Sequence, residues 1–230
     1  MGIRAVDERC VWMTAGLVLY KLCDREYDCT SCPFDIAMRG GAEDLEKEEA
    51  PFFKIEFFNF YHPNHLWVRV ENPSKVTVGI DSFLSSFLSS VRSIVFPNPG
   101  DRFVQGERFC HIVEGRGILP LPSPVSGVVI SVNGSLKKKP ELLLSDPLNE
   151  GFLVKMRPDN FEKDIKKLLS GKEALLWLKR DERRLYNFLL QLSQKERVGP
   201  TMQDGGSKRF VELLRELSKK DYLKLIETFL

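Results

Sequence analysis

No stretch of this sequence stays apolar for the roughly 18 residues that a membrane span requires. Val11–Leu22 comes nearest, but it is short and runs into Cys23 and acidic residues. No basic leader or small-residue cleavage site opens the chain, so a signal peptide is not expected and the expected compartment is the cytoplasm. Charge of one sign is also lacking. A net charge of +2 over 230 residues exerts no general pull on nucleic acid or on an anionic membrane, and neither is expected as a partner. Histidine is scarce, with only His62, His65 and His111, and all three read as structural or surface residues. Cys110 and His111 are strand neighbours that point to opposite faces, so they do not readily share a metal. There is no Ser-His-Asp order, no P-loop and no GxGxxG. With no catalytic constellation, the chain is expected not to be an enzyme.

Cysteine, by contrast, is concentrated. Cys23, Cys29 and Cys32 form C-x5-C-x2-C directly before Pro33, and Cys10 lies 13 residues upstream of Cys23. In a reducing compartment such thiols stay free unless they bind metal or do redox work. Four thiols are enough for a tetrahedral zinc site or an iron–sulfur cluster. The spacing matches neither the paired C-x2-C zinc pattern nor the ferredoxin run. A redox or disulfide pair and inert buried thiols therefore stand beside the metal reading.

Composition divides the chain in three. Residues 1–50 carry 6 basic and 11 acidic side chains, and residues 159–230 carry 16 and 12; both imbalances read as solvated faces. Gly40-Gly41 and the acidic stretch up to Pro51 mark a first boundary. Residues 51–158 read as a core, and residues 159–230 as helices. Val11–Val18 reads as a short strand or an apolar plug. In the core, the aromatic run Phe52–Phe60 reads as an edge strand or cover. Trp67–Val70 and Val76–Ile80 read as strands, and Asp81 or Ser82 caps a helix through Val91. Ile94–Phe96 is a further strand. Phe109–Val132 holds two apolar runs around Gly115-Arg116-Gly117 and a proline-spaced return limb, a protruding hairpin. Pro120, Pro122 and Pro124 argue against a central strand on that limb. Short strands with frequent turns imply a compact β architecture.

Several of these segments, in order, resemble the H-protein of the glycine cleavage system, a lipoyl carrier of barrel-sandwich fold. The matching stretches are His65-Leu66-Trp67-Val68, Val78-Gly79-Ile80-Asp81, Pro99-Gly100-Asp101 with Gly106-Glu107, Ser123-Pro124-Val125-Ser126-Gly127, and Pro140-Glu141-Leu142 through Glu150–Lys155. The resemblance covers about Tyr61 to Arg180. It implies an α+β fold: a mainly β barrel-sandwich core with a cysteine-containing N-terminal segment and a C-terminal helical extension.

In that family a lysine before SPVSG bears lipoate as an amide. Counting back from Ser123-Pro124 places Arg116 there, and counting forward from Val113-Glu114 places Gly117. These are the positions matching the cofactor site, and neither offers a primary amine. The sequence therefore argues against lipoylation at the hairpin. Lys137-Lys138-Lys139 reads as a solvated patch. Arg116 is expected to be exposed, either without a specific partner or forked onto a carboxylate or phosphate of one.

In the tail, Asp159 with Glu162 resembles a capping box, and Ser218 with Asp221 forms another. Leu175, Leu178, Leu185, Phe188, Leu189 and Leu192 form one apolar helix stripe. Gly199–Gly206 reads as a loop, after which Ser207 is placed to cap a helix. The expected function is a non-catalytic, H-protein-like protein that docks on a partner enzyme, of glycine-cleavage or redox type, or responds to metal or redox state. A functional lipoyl carrier and a cysteine-based redox module are the competing readings. The oligomeric state is not indicated.

Overall fold

A computed structural model of the protein describes residues 9–40, 51–196 and 206–230. The acidic stretch before Pro51 and most of the loop expected at Gly199–Gly206 lie outside the described residues. In chain order the elements begin with two short helices, α1 (Val11–Thr14) and α2 (Pro33–Met38). The core follows with β1 (Phe60–His62), β2 (Leu66–Asn72), β3 (Lys75–Ile80), α3 (Ser82–Phe87), β4 (Val91–Val95), β5 (Arg102–Phe103), β6 (Arg108–Glu114), β7 (Gly117–Pro122) and β8 (Gly127–Val132). Then come α4 (Ser135–Lys138), α5 (Leu142–Ser145), β9 (Val154–Pro158), α6 (Phe161–Ile165) and β10 (Leu169–Ser170). Three helices finish the chain: α7 (Gly171–Glu196), α8 (Gly206–Glu216) and α9 (Lys219–Phe229).

The strands form two antiparallel sheets, ordered β10-β1-β2-β3-β9-β8-β5 and β4-β6-β7. Neither closes into a barrel. This is the mixed, mainly β core flanked by helices that the sequence implies. Trp67 is fully buried and lies opposite Gly79 across β2 and β3. A Cβ on Gly79 would sit 2.5 Å from the indole Cζ2, so only glycine leaves that ring its place. The indole N–H donates to the Ile80 carbonyl at 2.8 Å. Gly127 is fixed for a similar reason, since a Cβ there would meet the Arg157 carbonyl oxygen at 2.3 Å.

Asp81 caps α3 by accepting from the Leu84 N–H at 2.8 Å. The helix stops at Phe87 rather than Val91, because Leu88 turns extended and Val91 is taken into β4 opposite Glu114. The serine side of α3 is not a solvent face either. Ser85 is buried and donates to the Leu143 carbonyl of α5 at 2.7 Å. Val11–Thr14 is a helical turn, not a strand, with Val11 and Trp12 in the core. Residues 51–59 carry no strand, but Phe53 is buried, so the aromatic run acts as cover.

β7 pairs only with β6. This edge position tolerates Pro120 and Pro122, which lack an N–H to donate. On α7, Leu175, Leu178, Leu185 and Leu189 are buried, as their stripe requires. Ser218 accepts from the Asp221 N–H at the start of α9, completing the expected cap. The cap of α6 is Asn160, which accepts from the Lys163 N–H at 3.0 Å. Asp159 instead pairs with Arg102.

Candidate functional site

The β6–β7 hairpin turns through Gly115 and Arg116, with Glu114 opposite Gly117. The tip position identified in the sequence is thus a two-residue turn. Arg116 is not the exposed side chain expected there, because its side chain is only 11 % exposed. Its Nε donates to Glu114 Oε1 at 3.1 Å and its Nη1 to the Leu214 carbonyl of α8 at 3.0 Å. Nη2 donates to the Phe87 carbonyl at the end of α3. The guanidinium carbon lies 3.9 Å from the centre of the Tyr222 ring of α9, a cation–π contact. Arg116 therefore forks onto a carboxylate as anticipated, but the carboxylate belongs to its own chain. Glu114 is buried and also accepts from the Ser89 N–H at 3.1 Å. Burial, then the Glu114 carboxylate, push the Tyr222 phenol far above its ordinary pKa.

Neither tip residue has the chemistry of a lipoyl attachment point. Gly117 has no side chain. Arg116 carries a guanidinium rather than a primary amine, and each of its three nitrogens already donates within the chain. The site residues do not fit the group. Lys137, Lys138 and Lys139 are exposed at α4, away from the tip turn in the chain.

A second constellation was not legible as a site in the sequence. His65 is fully buried. Its Nδ1 lies 2.8 Å from Asp81 Oδ2, and its Nε2 lies 3.6 Å from Asp181 Oδ2 of α7. Its ring stacks on Phe83 at 4.1 Å and lies 4.6 Å from Trp177. Burial alone would lower its pKa, but the two carboxylates outweigh burial and the net shift is upward. Asp181 shifts the opposite way. Burial would raise it, and the interactions with His65 and Arg184 hold it low. With no solvent at the imidazole, this triad joins α3 to α7 and offers nothing a substrate can reach.

The four N-terminal cysteines are brought together. Cys10, Cys23, Cys29 and Cys32 all line one small cavity, while Cys110 is buried in β6. All five are free thiols. The Arg9–Leu22 bridge lays the start of the segment beside its later part. Burial, then the Asp35 carboxylate, push the Cys29 thiol up to about 12, and Cys10 and Cys32 add to the push. Cys10 is raised mainly by burial, with Cys23 and Cys32 adding repulsion. Among the described residues, no three Cys, His, Asp or Glu side chains stand close enough to hold an ion as they are. Arg39 and Asp35 seat this segment on the core. They form a buried pair at 2.6 Å, Trp12 donates to Asp35 at 2.8 Å, and Arg39 lies 4.5 Å from the centre of the Phe60 ring.

Among the described residues no helix is long and apolar enough to cross a membrane. A family model described as glycine cleavage H-protein matches residues 59–181. A probable glycine cleavage system H protein of Thermococcus kodakarensis is 30% identical over 127 residues, 55% of this chain and 94% of that protein. Glycine cleavage system H protein 2 of Aquifex aeolicus is 31% identical over 116 residues, covering 50% and 72% of the two chains. A crystal structure of a glycine cleavage system H protein from Mycobacterium marinum aligns at a TM-score of 0.49 and 22% identity, over 56% of this chain and 99% of that one. With its sheet core matched from β1 into α7, this chain belongs to the glycine cleavage H-protein family.

Proposed function

We propose that this protein is a family member without a lipoyl group, and that it works by docking to a protein partner rather than by carrying a bound intermediate. The observation that carries this reading is the bonding of Arg116. Of the two positions that can match the cargo lysine, Gly117 has no side chain and Arg116 has no primary amine. The Arg116 side chain is tied to Glu114, Phe87, Leu214 and Tyr222. A swinging arm needs a free tip, whereas this tip is fastened beneath α8 and α9. The family works as a carrier and not as a catalyst, which supports reading this chain as a non-enzyme. The family's dependence on partner enzymes supports a protein as the partner.

The test is intact-mass and peptide-mapping analysis of the full chain produced with lipoate and a lipoate–protein ligase. The unmodified mass is expected. A lipoyl adduct on any lysine, Lys137–Lys139 included, would overturn the reading and restore a working carrier.

A further inference from the structure

We propose that Cys10, Cys23, Cys29 and Cys32 form a tetrathiolate zinc site that staples the N-terminal segment to itself. The argument starts from what residues 9–40 lack. Their regular structure is two helices of four and six residues and one isolated bridge. So little structure rarely fixes a segment of this length without a cross-link. Yet four cysteines, separated by up to 22 positions, converge on one cavity.

Local geometry favours metal ligation. The Cys32 N–H donates to the Cys29 carbonyl at 3.3 Å, a turn that carries both thiols on one bend, as in C-x2-C zinc knuckles. The Tyr27 N–H donates to Cys23 Sγ at 3.2 Å, a bond that strengthens when the sulfur is a thiolate. To present that N–H, Glu26 and Tyr27 hold φ of 51° and 64°, conformations uncommon for side-chain-bearing residues. Lys21 and Arg25 border the cavity beside Asp24, Asp28 and Asp35, and Lys21 is already paired with Asp24 at 3.2 Å, so the lining suits a cation and adds no surplus positive charge.

The cavity, about 10 Å³, has room for a single ion as it stands. The sulfurs are not yet at ligand distances. Ligation therefore requires the four side chains, and the short turns that carry them, to draw in around the ion. Binding releases the four thiol protons and leaves zinc with four thiolates and a net charge of −2, with no redox change.

The full chain, purified anaerobically under reducing conditions, is expected to hold about one zinc per chain by elemental analysis. Removing the metal and adding cobalt(II) should give thiolate-to-cobalt charge transfer and the visible bands of a tetrahedral site. Cys29→Ser should lose stoichiometric zinc, and Cys110→Ser should keep it. The cobalt spectrum and zinc titration of the unmutated protein stand even if Cys29→Ser fails to fold. Five freely titrating thiols with no metal uptake, a disulfide among the four, or iron with labile sulfide would each overturn the zinc site. None of these results bears on whether the hairpin carries lipoate.

Discussion

The two ends of the chain close over the same core by different means. The C-terminal side is fastened by side chains of the core. Arg116 satisfies Glu114 and two carbonyls, and Phe229 of α9 packs on Phe83 at 5.3 Å and on Phe87 at 5.7 Å. The N-terminal side is seated by the buried Asp35–Arg39–Trp12 node, with Val11 and Ala15 also in the core, and it brings four cysteines to one cavity. Both ends use charge-assisted hydrogen bonds, but only the N-terminal one also gathers free thiols that can take a ligand. The family core from β1 to α7 lies between them, and the features that set this protein apart are at its edges.

The comparison breaks most sharply at that node. Arg39→Ala strands Asp35, a buried carboxylate, and removes the cation–π contacts to Trp12 and Phe60. It should cost about 4 kcal/mol in chemical denaturation and expose residues 9–40 to protease while α8 and α9 stay protected. A loss below about 1 kcal/mol, the range of a surface pair, would mean that the segment is held elsewhere. Arg116→Ala should do the converse. It leaves Glu114 buried with only the Ser89 N–H and hydroxyl as donors, costs about 3 kcal/mol, and opens α8 and α9 to cleavage first. If both variants open the same end, the two closures are not independent.

How much of this was readable depends on the range of the interaction. The hairpin, the Asp81 cap, the α7 stripe and the Ser218–Asp221 cap follow from neighbours within a few residues, and sequence patterns carry them. So does the register that puts Arg116 at the tip. Its partners do not follow, because Leu214 and Tyr222 lie about a hundred positions away and no local pattern points to them. His65 looked solitary for the same reason, with Asp181 on a helix formed much later in the chain. Two local readings also missed for physical cause, the strand alternative at Val11, where a buried helical turn forms instead, and the end of α3. The apolar run at Val11 has too few residues to declare a period. The α3 stripe continued on paper to Val91, but pairing with β6 took that residue into a strand.

A substitution in the shared core serves as the control. Gly79→Ala pushes a methyl into the Trp67 ring, where the nearest atom would be 2.5 Å away. Overpacking of this kind costs about 2 kcal/mol. The loss should appear as one cooperative shift in denaturation, with both ends released together. Selective cleavage of either end in this variant would show that Trp67 supports that end directly.

The smallest effect is one of pH, and it separates the core from the N-terminal end by sign. His65 faces Asp81 from the cap of α3 and Asp181 from α7, which Arg184 also contacts, with Phe83 and Trp177 against the ring. Its folded pKa is raised above the unfolded value of about 6.5. Folding therefore takes up a proton in the window between the two. The stabilisation is fully present below about pH 6.5 and is lost as pH rises through the folded value. At the N-terminal end the sign reverses, because zinc must displace thiol protons and so binds more tightly as pH rises. Denaturation of zinc-free protein from pH 6 upward should show stability falling in the window above the unfolded value. Asp181→Asn should flatten that slope by removing one of the two carboxylates that raise His65. Zinc-loaded protein should show the fall offset by the gain in metal affinity. An unchanged slope in Asp181→Asn would remove His65 from the account and leave the core indifferent to pH in this window.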